Sequence, residues 1–599
     1  MRLCNIRFLS VPRRRQRLLL LLLVWLTISH QLPIGGQTPT VQGATGALPA
    51  PVLKWQQGGC YGSWCETGWY SSPAVADLDG NGTMEVIASA YSIVALDGAT
   101  GALRWRIRSG HDRSENPDVV KDVGRTWPGI IIADVDGNGD PEIVTAHGGG
   151  VVSVYNQDGY FAEGWPQKPI NNEIRGLSVS DLDGDGSLEV LATGALGSKT
   201  NAWVFEHTGT LRTGWPQLSN DTGYAWGVYN DNAAIADLDA DGAGEIVIPS
   251  DVHYICAYEA NGVQLPANAI YGNKAWGKVG VHVDHAVDLR GYANCGEEHR
   301  PNFANSPATI ADVDGNGTLE IIVVGNVYNC GADPYMDLYE MPFLFNRDRT
   351  RWQGDGFDWT AIPAPDDQAA PLSEDYNVIE NSRPNPVAAD LDGDGKLEIL
   401  YPSYDGRVHA YWLDKTEHGQ WPYAVTEPGE GFLRFAGEPA VADLDNNGRA
   451  EVIFASWVQK GTNATGKLHI LDDQGNVLHE LALPPAFGGG DWNGALAAPT
   501  LANIDSDADL EVVLNTAHAG FVAYDLPDTA NARILWGTGR GSQSRNGVTP
   551  AAATPAPTPT STTPTVTPTT MPGETPTPIA TAPPTGNSNR VLLPVIRKR

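Results

Sequence analysis

Lysine and arginine are scarce in this chain. Against 71 Asp and Glu there are 39 Lys and Arg in 599 residues, a formal charge of -32. Nucleic acids and anionic membranes are bound through clustered basic side chains, so this balance makes both poor partners, and no nucleic-acid partner is expected. It leaves divalent cations as the natural counter-charge. Cysteine is sparse too, with six residues and no CxxC pair, which removes zinc-ribbon and thioredoxin-like readings. Helical periodicity is absent. The one long apolar run, Leu18 to Ile28, has eleven residues, too few to cross about 30 Å of hydrocarbon. Catalytic spellings are missing as well: there is no HExxH and no GxSxG, and GALGSKT at 194–200 lacks the glycine a P-loop places directly before its lysine.

The ends carry addresses. Arg13, Arg14, Arg15 and Arg17 precede the apolar run and small residues follow it, the layout of a secretory signal peptide over 1–43. The Pro/Thr-rich stretch 548–590 has no means of forming a core and reads as an extended stalk. The tail 591–599, VLLPVIRKR, is again too short to span a bilayer. The expected mature protein is a secreted or cell-surface-associated monomer without a transmembrane span. Disulfides are permitted there: Cys60 and Cys65 are close enough for a local bridge, and Cys295 and Cys330 flank one unit. Cys256, in an apolar run, reads as a buried free thiol.

What is abundant is one acidic phrase. ADLDGNGTMEVI at 76–87 recurs seven more times, and 29 of the 71 acids lie in these loops. The acidity is therefore local and patterned. The loops begin at Asp77, Asp134, Asp181, Asp237, Asp312, Asp390, Asp443 and Asn503. Position 3 is Asp79, Asp136, Asp183, Asp239, Asp314, Asp392, Asp445 and Asp505. Position 5 is Asn81, Asn138, Asp185, Asp241, Asn316, Asp394, Asn447 and Asp507. Position 9 is Glu85, Glu142, Glu189, Glu245, Glu320, Glu398, Glu451 and Glu511.

Short alternating segments surround each loop, such as SSPAVA, MEVIASA, SIVALDG and ALRWRIR in the first unit. They predict four antiparallel strands, A to D, with the acidic loop joining A to B. A single small sheet cannot bury both faces, so the units must pack on one another. Eight of them closing a ring make an all-β, eight-bladed β-propeller over 52–547. VLKWQ at 52–56 looks like a D strand and is placed as an added outer strand where the ring closes. Trp105, Trp165, Trp215 and Trp536 are read as D-strand residues filling the space between neighbouring sheets.

Calcium takes six to eight oxygens from a loop that curls around it. Side chains at positions 1, 3, 5 and 9 and a carbonyl at 7 fit that demand, whereas magnesium prefers a small, water-rich octahedron. Asx turns with acids merely solvating the rim are the plain alternative for one copy. Eight copies of clustered carboxylates would repel one another without a cation. Up to eight calcium ions are expected. The eighth loop departs most, with Asn503 for Asp and Ala508 for the glycine of the other seven, while Asp509 at position 7 offsets the lost charge.

On these loops the chain resembles the FG-GAP/VCBS repeat family, whose best-known fold is the integrin α-subunit propeller. The likeness covers roughly residues 70 to 540, and it departs from the integrin pattern in having Glu at position 9. The resemblance implies fold and metal and says little about the ligand. The longest D–A connections, 271–306 and 347–382, carry Trp276, His282, His285, Arg290, His299, Trp352 and Trp359. Mixed aromatic and charged loops on a rigid scaffold suit a glycan or protein ligand. The leading expectation is a calcium-binding adhesion or binding module. A polysaccharide lyase is the enzymatic alternative, because one rhamnogalacturonan lyase family uses a similar propeller; His282, His285, Arg290 and His299 are then the candidates. A passive envelope protein is the third reading.

Overall fold

The computed structural model describes residues 48–549 apart from 58, 62–63, 67, 69, 196–199, 218–232, 332–338, 355–382, 460 and 488–492. The leader, nearly all of the stalk, the tail and Trp359 lie outside the described residues. Eight small antiparallel sheets form a ring, an eight-bladed β-propeller. Blade 1 shows the plan: Ala74–Ala76, Glu85–Ser89, Ser92–Asp97 and Leu103–Arg108 pair in sequence order. In six blades the second strand is buried along its whole length, which is why MEVIASA and its counterparts read as continuous apolar runs.

Not every blade has four full strands. In blades 2 and 3 the outermost segment makes only isolated bridges, Tyr155 with Phe161 and Val152 with Gln167, then Phe205 with Leu211 and Ala202 with Gln217. Both segments contain Gly-Trp-Pro. The glycines, Gly164 and Gly214, sit at φ 85° and 94°, and the prolines have no N–H to give a ladder. Blade 5 is extended instead: His299–Asn302 pairs beside its long second strand Glu320–Asn329.

Closure is made by the N-terminal strand. Val52–Gln57 pairs with Phe521–Leu526 and supplies the outermost strand of blade 8, so it completes that blade rather than adding to it. Trp536 consequently has no outer edge left to join. Its strand, Arg533–Trp536, pairs with Ala440–Asp443, the inner strand of blade 7. The chain then runs through the centre of the ring. Leu501 N–H reaches Gly537 O, Val179 N–H reaches Ser544 O, Ile235 N–H reaches Asn546 O and Ile310 N–H reaches Gly547 O. Gln543 Nε2 donates to Val75 O, Arg545 Nε to Ile130 O and Thr549 Oγ1 to Ala388 O. Residues 533–549 thus bond to the inner part of every blade.

Tryptophans tie the blades at their outer edge. The indole N–H of Trp55, Trp165, Trp215, Trp276 and Trp421 each donates to a backbone carbonyl in the C–D turn of the following blade, at Gly98, His207, Ala260, Arg347 and Asp473, over 2.7–3.0 Å. Trp105 is half-buried against the blade 1–2 core. The expected inter-sheet role therefore fits Trp105, Trp165 and Trp215, and also Trp536, which is buried between blades 6 and 7 although it is not on a D strand. Disulfides join Cys60 to Cys65 and Cys295 to Cys330, and Cys256 is buried and belongs to neither bridge. Among the described residues no helix is long and apolar enough to cross a membrane.

Candidate metal centres

Each acidic loop is folded by its own side chains. In all eight, one oxygen of the position-9 glutamate accepts the N–H of position 2, from Glu85 with Leu78 to Glu511 with Ile504, at 2.6–3.0 Å. In seven, the position-1 aspartate accepts the N–H of the glycine at position 6, at 2.7–3.1 Å. Positions 4 and 6 of these seven have positive φ, as at Gly80 and Gly82; Ala240 and Asn446 bear that strain at position 4 of loops 4 and 7. This curl brings alternate side chains to one centre.

The loops stand side by side. The N–H of position 8 donates to the position-2 carbonyl of the preceding blade's loop in four seams: Leu188 to Val135, Gly244 to Leu182, Leu397 to Val313 and Ala450 to Leu391, at 2.8–3.2 Å. A Cβ on Gly393 would come within 2.4 Å of Gly448 O, so that loop must be glycine where it meets its neighbour. The position-2 residue is thus held from both sides, by its own glutamate and by the next loop.

The donor set suits a hard cation. One oxygen each from Asp77, Asp79 and Glu85 lie within 4.8 Å of one another, and the same holds for Asp134, Asp136 and Glu142, for Asp181, Asp183 and Glu189, for Asp237, Asp239 and Glu245, and for Asp312, Asp314 and Glu320. The glutamates are buried while the aspartates reach solvent. Glu245 Oε1 is buried with no hydrogen-bond partner, and Arg347 Nη2 stands 3.8 Å away. Burial, with the neighbouring aspartates, pushes Glu142, Glu189, Glu245 and Glu320 up to about 7, Glu451 to about 8 and Glu398 to about 9. Carboxylates so placed are ionised only at a cost, and a divalent ion would remove it. The residues therefore fit a metal ion of the calcium type.

The ligand-face candidates fare differently. Trp276 is fully buried with its ring edge-on to Phe345, and Trp352 is buried in the same core. Their indoles belong to blade packing, so a ligand-contacting role for them is corrected. His282 is buried, its Nδ1 3.1 Å from Asp288, which also takes two bonds from Arg351. His285 is half-buried, with Nε2 3.0 Å from the Tyr271 hydroxyl. Arg290 is paired to Glu298 and His299 lies on the strand beside Glu320–Asn329. The exposed large apolar side chains of the 271–306 connection are instead Leu289 and Tyr292, with Arg290 stacked 4.8 Å over the Tyr292 ring. The sequence pointed to tryptophan because surplus aromatics in a long loop look available; burial decides otherwise.

The class defined by ring and loops is a β-propeller whose blades carry acidic A–B hairpins. The model of the FG-GAP-like repeat matches residues 134–192 and 390–454, stretches that run from the acidic loop of blade 2 into blade 3 and from that of blade 6 into blade 7 of the eight-bladed ring. No curated protein matches it in sequence. Among solved structures it is similar to the V. cholerae biofilm matrix protein Bap1, with 13% identity and a TM-score of 0.43 over 84% of this chain and 96% of that one. It is also similar to a Bacillus licheniformis rhamnogalacturonan lyase, with 16% identity and a TM-score of 0.39 over 80% and 75%. A Comamonas testosteroni quinohemoprotein alcohol dehydrogenase gives 13% and 0.40 over 82% and 78%. Proteins this different in what they do, at such low likeness, carry no argument about activity.

Proposed function

We propose that this protein is an exported, calcium-stabilised propeller that acts as a binding or adhesion module for an extracellular glycan or protein. The observation that carries the reading is the buried glutamate of the loops, clustered with aspartates and, at Glu245, with a buried oxygen that no hydrogen bond satisfies. Calcium supplies the missing charge and accepts the hard oxygen donors. The two disulfides support an oxidising compartment. A ligand would use the D–A connections, away from the acidic loops, at the exposed Leu289, Arg290 and Tyr292.

The test is a panel of polysaccharides and glycans offered to the full chain with calcium and with chelator, scored for binding and for cleavage. Calcium-dependent binding without cleavage is the expected result. Release of unsaturated sugar would establish a lyase instead, and absence of any ligand would favour a passive envelope role. Exchanging Arg290 and Tyr292 for Ala should weaken binding about tenfold or more while leaving the melting curve unchanged.

A further inference from the structure

Seven of the acidic loops share one conformation, and the eighth does not. Position 1 is the neutral Asn503, whose side-chain Nδ2 donates to Asp507 O at 2.6 Å. The positive-φ residues at positions 4 and 6 of the other seven have no counterpart at Ser506 and Ala508. A carboxylate accepting from position 6, present in the seven, is missing here because position 1 carries none. The loop keeps four carboxylates, Asp505, Asp507, Asp509 and Glu511, but it lacks the position-1 carboxylate and the curl that gather oxygens around an ion.

It does not lack a cation. Lys54, on the strand that closes the ring, places its Nζ 2.8 Å from Glu511 Oε1 and also pairs with Asp505. These are the position-9 and position-3 carboxylates that an ion would bridge. Lys54 lies 457 residues from Glu511 in sequence, so the contact exists only in the closed ring. Arg104 in loop 1, Arg212 in loop 3 and Arg347 in loop 4 likewise pair with the position-3 and position-9 carboxylates of their loops. Those three loops, however, keep the position-1 aspartate and the positive-φ residues at positions 4 and 6, so their ligand sets remain intact.

We propose that the eighth loop binds no metal and that the Lys54 ammonium takes the place of the ion, making the closing seam of the propeller independent of calcium. This rests on the calcium reading of the other seven loops. The consequence is a division of labour: calcium sets the strength of blades 1 to 7, while the seam between the two chain ends stays shut when calcium falls.

The experiment is a calcium count on the full chain by equilibrium dialysis at saturating calcium, together with melts in calcium and in chelator. Wild type should hold seven ions, Asp314→Asn six, and Asp505→Asn still seven. Asp505→Asn and Lys54→Gln should lower the melting temperature by the same amount in calcium and in chelator. Eight ions in wild type with one lost in Asp505→Asn would overturn the proposal, as would a Lys54→Gln defect seen only in calcium. No bound calcium in wild type would instead sink the calcium reading beneath it.

Discussion

The indole N–H of Trp276 donates to the carbonyl of Arg347 over 2.7 Å, joining two residues 71 apart across the seam between blades 4 and 5. The bond repeats what Trp55, Trp165, Trp215 and Trp421 do at other seams, so Trp276 belongs to the ring's construction. Trp276→Ala should cost about 3–5 kcal/mol, the usual range for a deleted buried aromatic. Denaturant unfolding checks this. Loss of ligand binding with no loss of stability would contradict it.

Calcium removal should destabilise the whole ring. With dissociation constants of about 10⁻⁴ to 10⁻³ M, each loop in millimolar calcium adds roughly 0.4 to 1.4 kcal/mol by mass action. Seven loops then contribute about 3 to 10 kcal/mol, comparable with the stability of a typical domain. Melts with and without chelator test it; coincident curves would mean that the loops are turns alone.

The hydrogen bonds between neighbouring loops predict coupling along the rim. Asp392→Ala should weaken calcium binding in loops 5 and 7 as well as abolish it in loop 6, because Leu397 and Ala450 hold those seams. Binding isotherms that lose one site and leave the others unchanged would show the loops to be independent.

Stability should fall with rising pH through the titration of His409. Burial opposes a charge on this imidazole, but the carboxylates of Asp405 at 3.0 Å and Glu417 at 3.1 Å outweigh it and hold the group up at about 10. Its folded value lies above the unfolded one of about 6.5. The contribution is therefore complete below pH 6.5 and is lost as the pH rises toward 10. Buried Glu340, pushed up to about 8 chiefly by burial, acts in the same direction, since its ionisation is harder in the folded protein. The stability gap between wild type and His409→Gln should narrow between pH 6 and 10 in denaturant titrations.

Arg545 should be among the most sensitive positions. Wholly buried at the axis, it donates to Ile130 O at 2.9 Å, Gly539 O at 2.8 Å and Pro73 O at 2.8 Å, linking blades 1 and 2 to the central segment. Arg545→Met leaves these carbonyls unsatisfied, at about 1–3 kcal/mol each. A loss of about 3 kcal/mol or more is expected from chemical denaturation, and truncation before Gly537 should be worse.

The number of blades, the strand class and the acidic loops were all determined by sequence alone, because each rests on local spacing. Oxygens at positions 1, 3, 5 and 9 and an apolar run after the ninth recur in all eight copies, and a glycine at the sixth in seven. The odd character of loop 8 was visible too, in Asn503 and Ala508. What only the tertiary structure decided is where long-range partners go. Trp536 looks like a D-strand residue but lies against the inner strand of blade 7, because Val52–Gln57 already fills the outer edge of blade 8. Trp276 and Trp352 look like a ligand platform, yet both lie buried in one core cluster. Lys54 is one lysine among few until ring closure brings it against Glu511. Closure joins residues hundreds of positions apart, and nothing in local periodicity encodes which of them will meet.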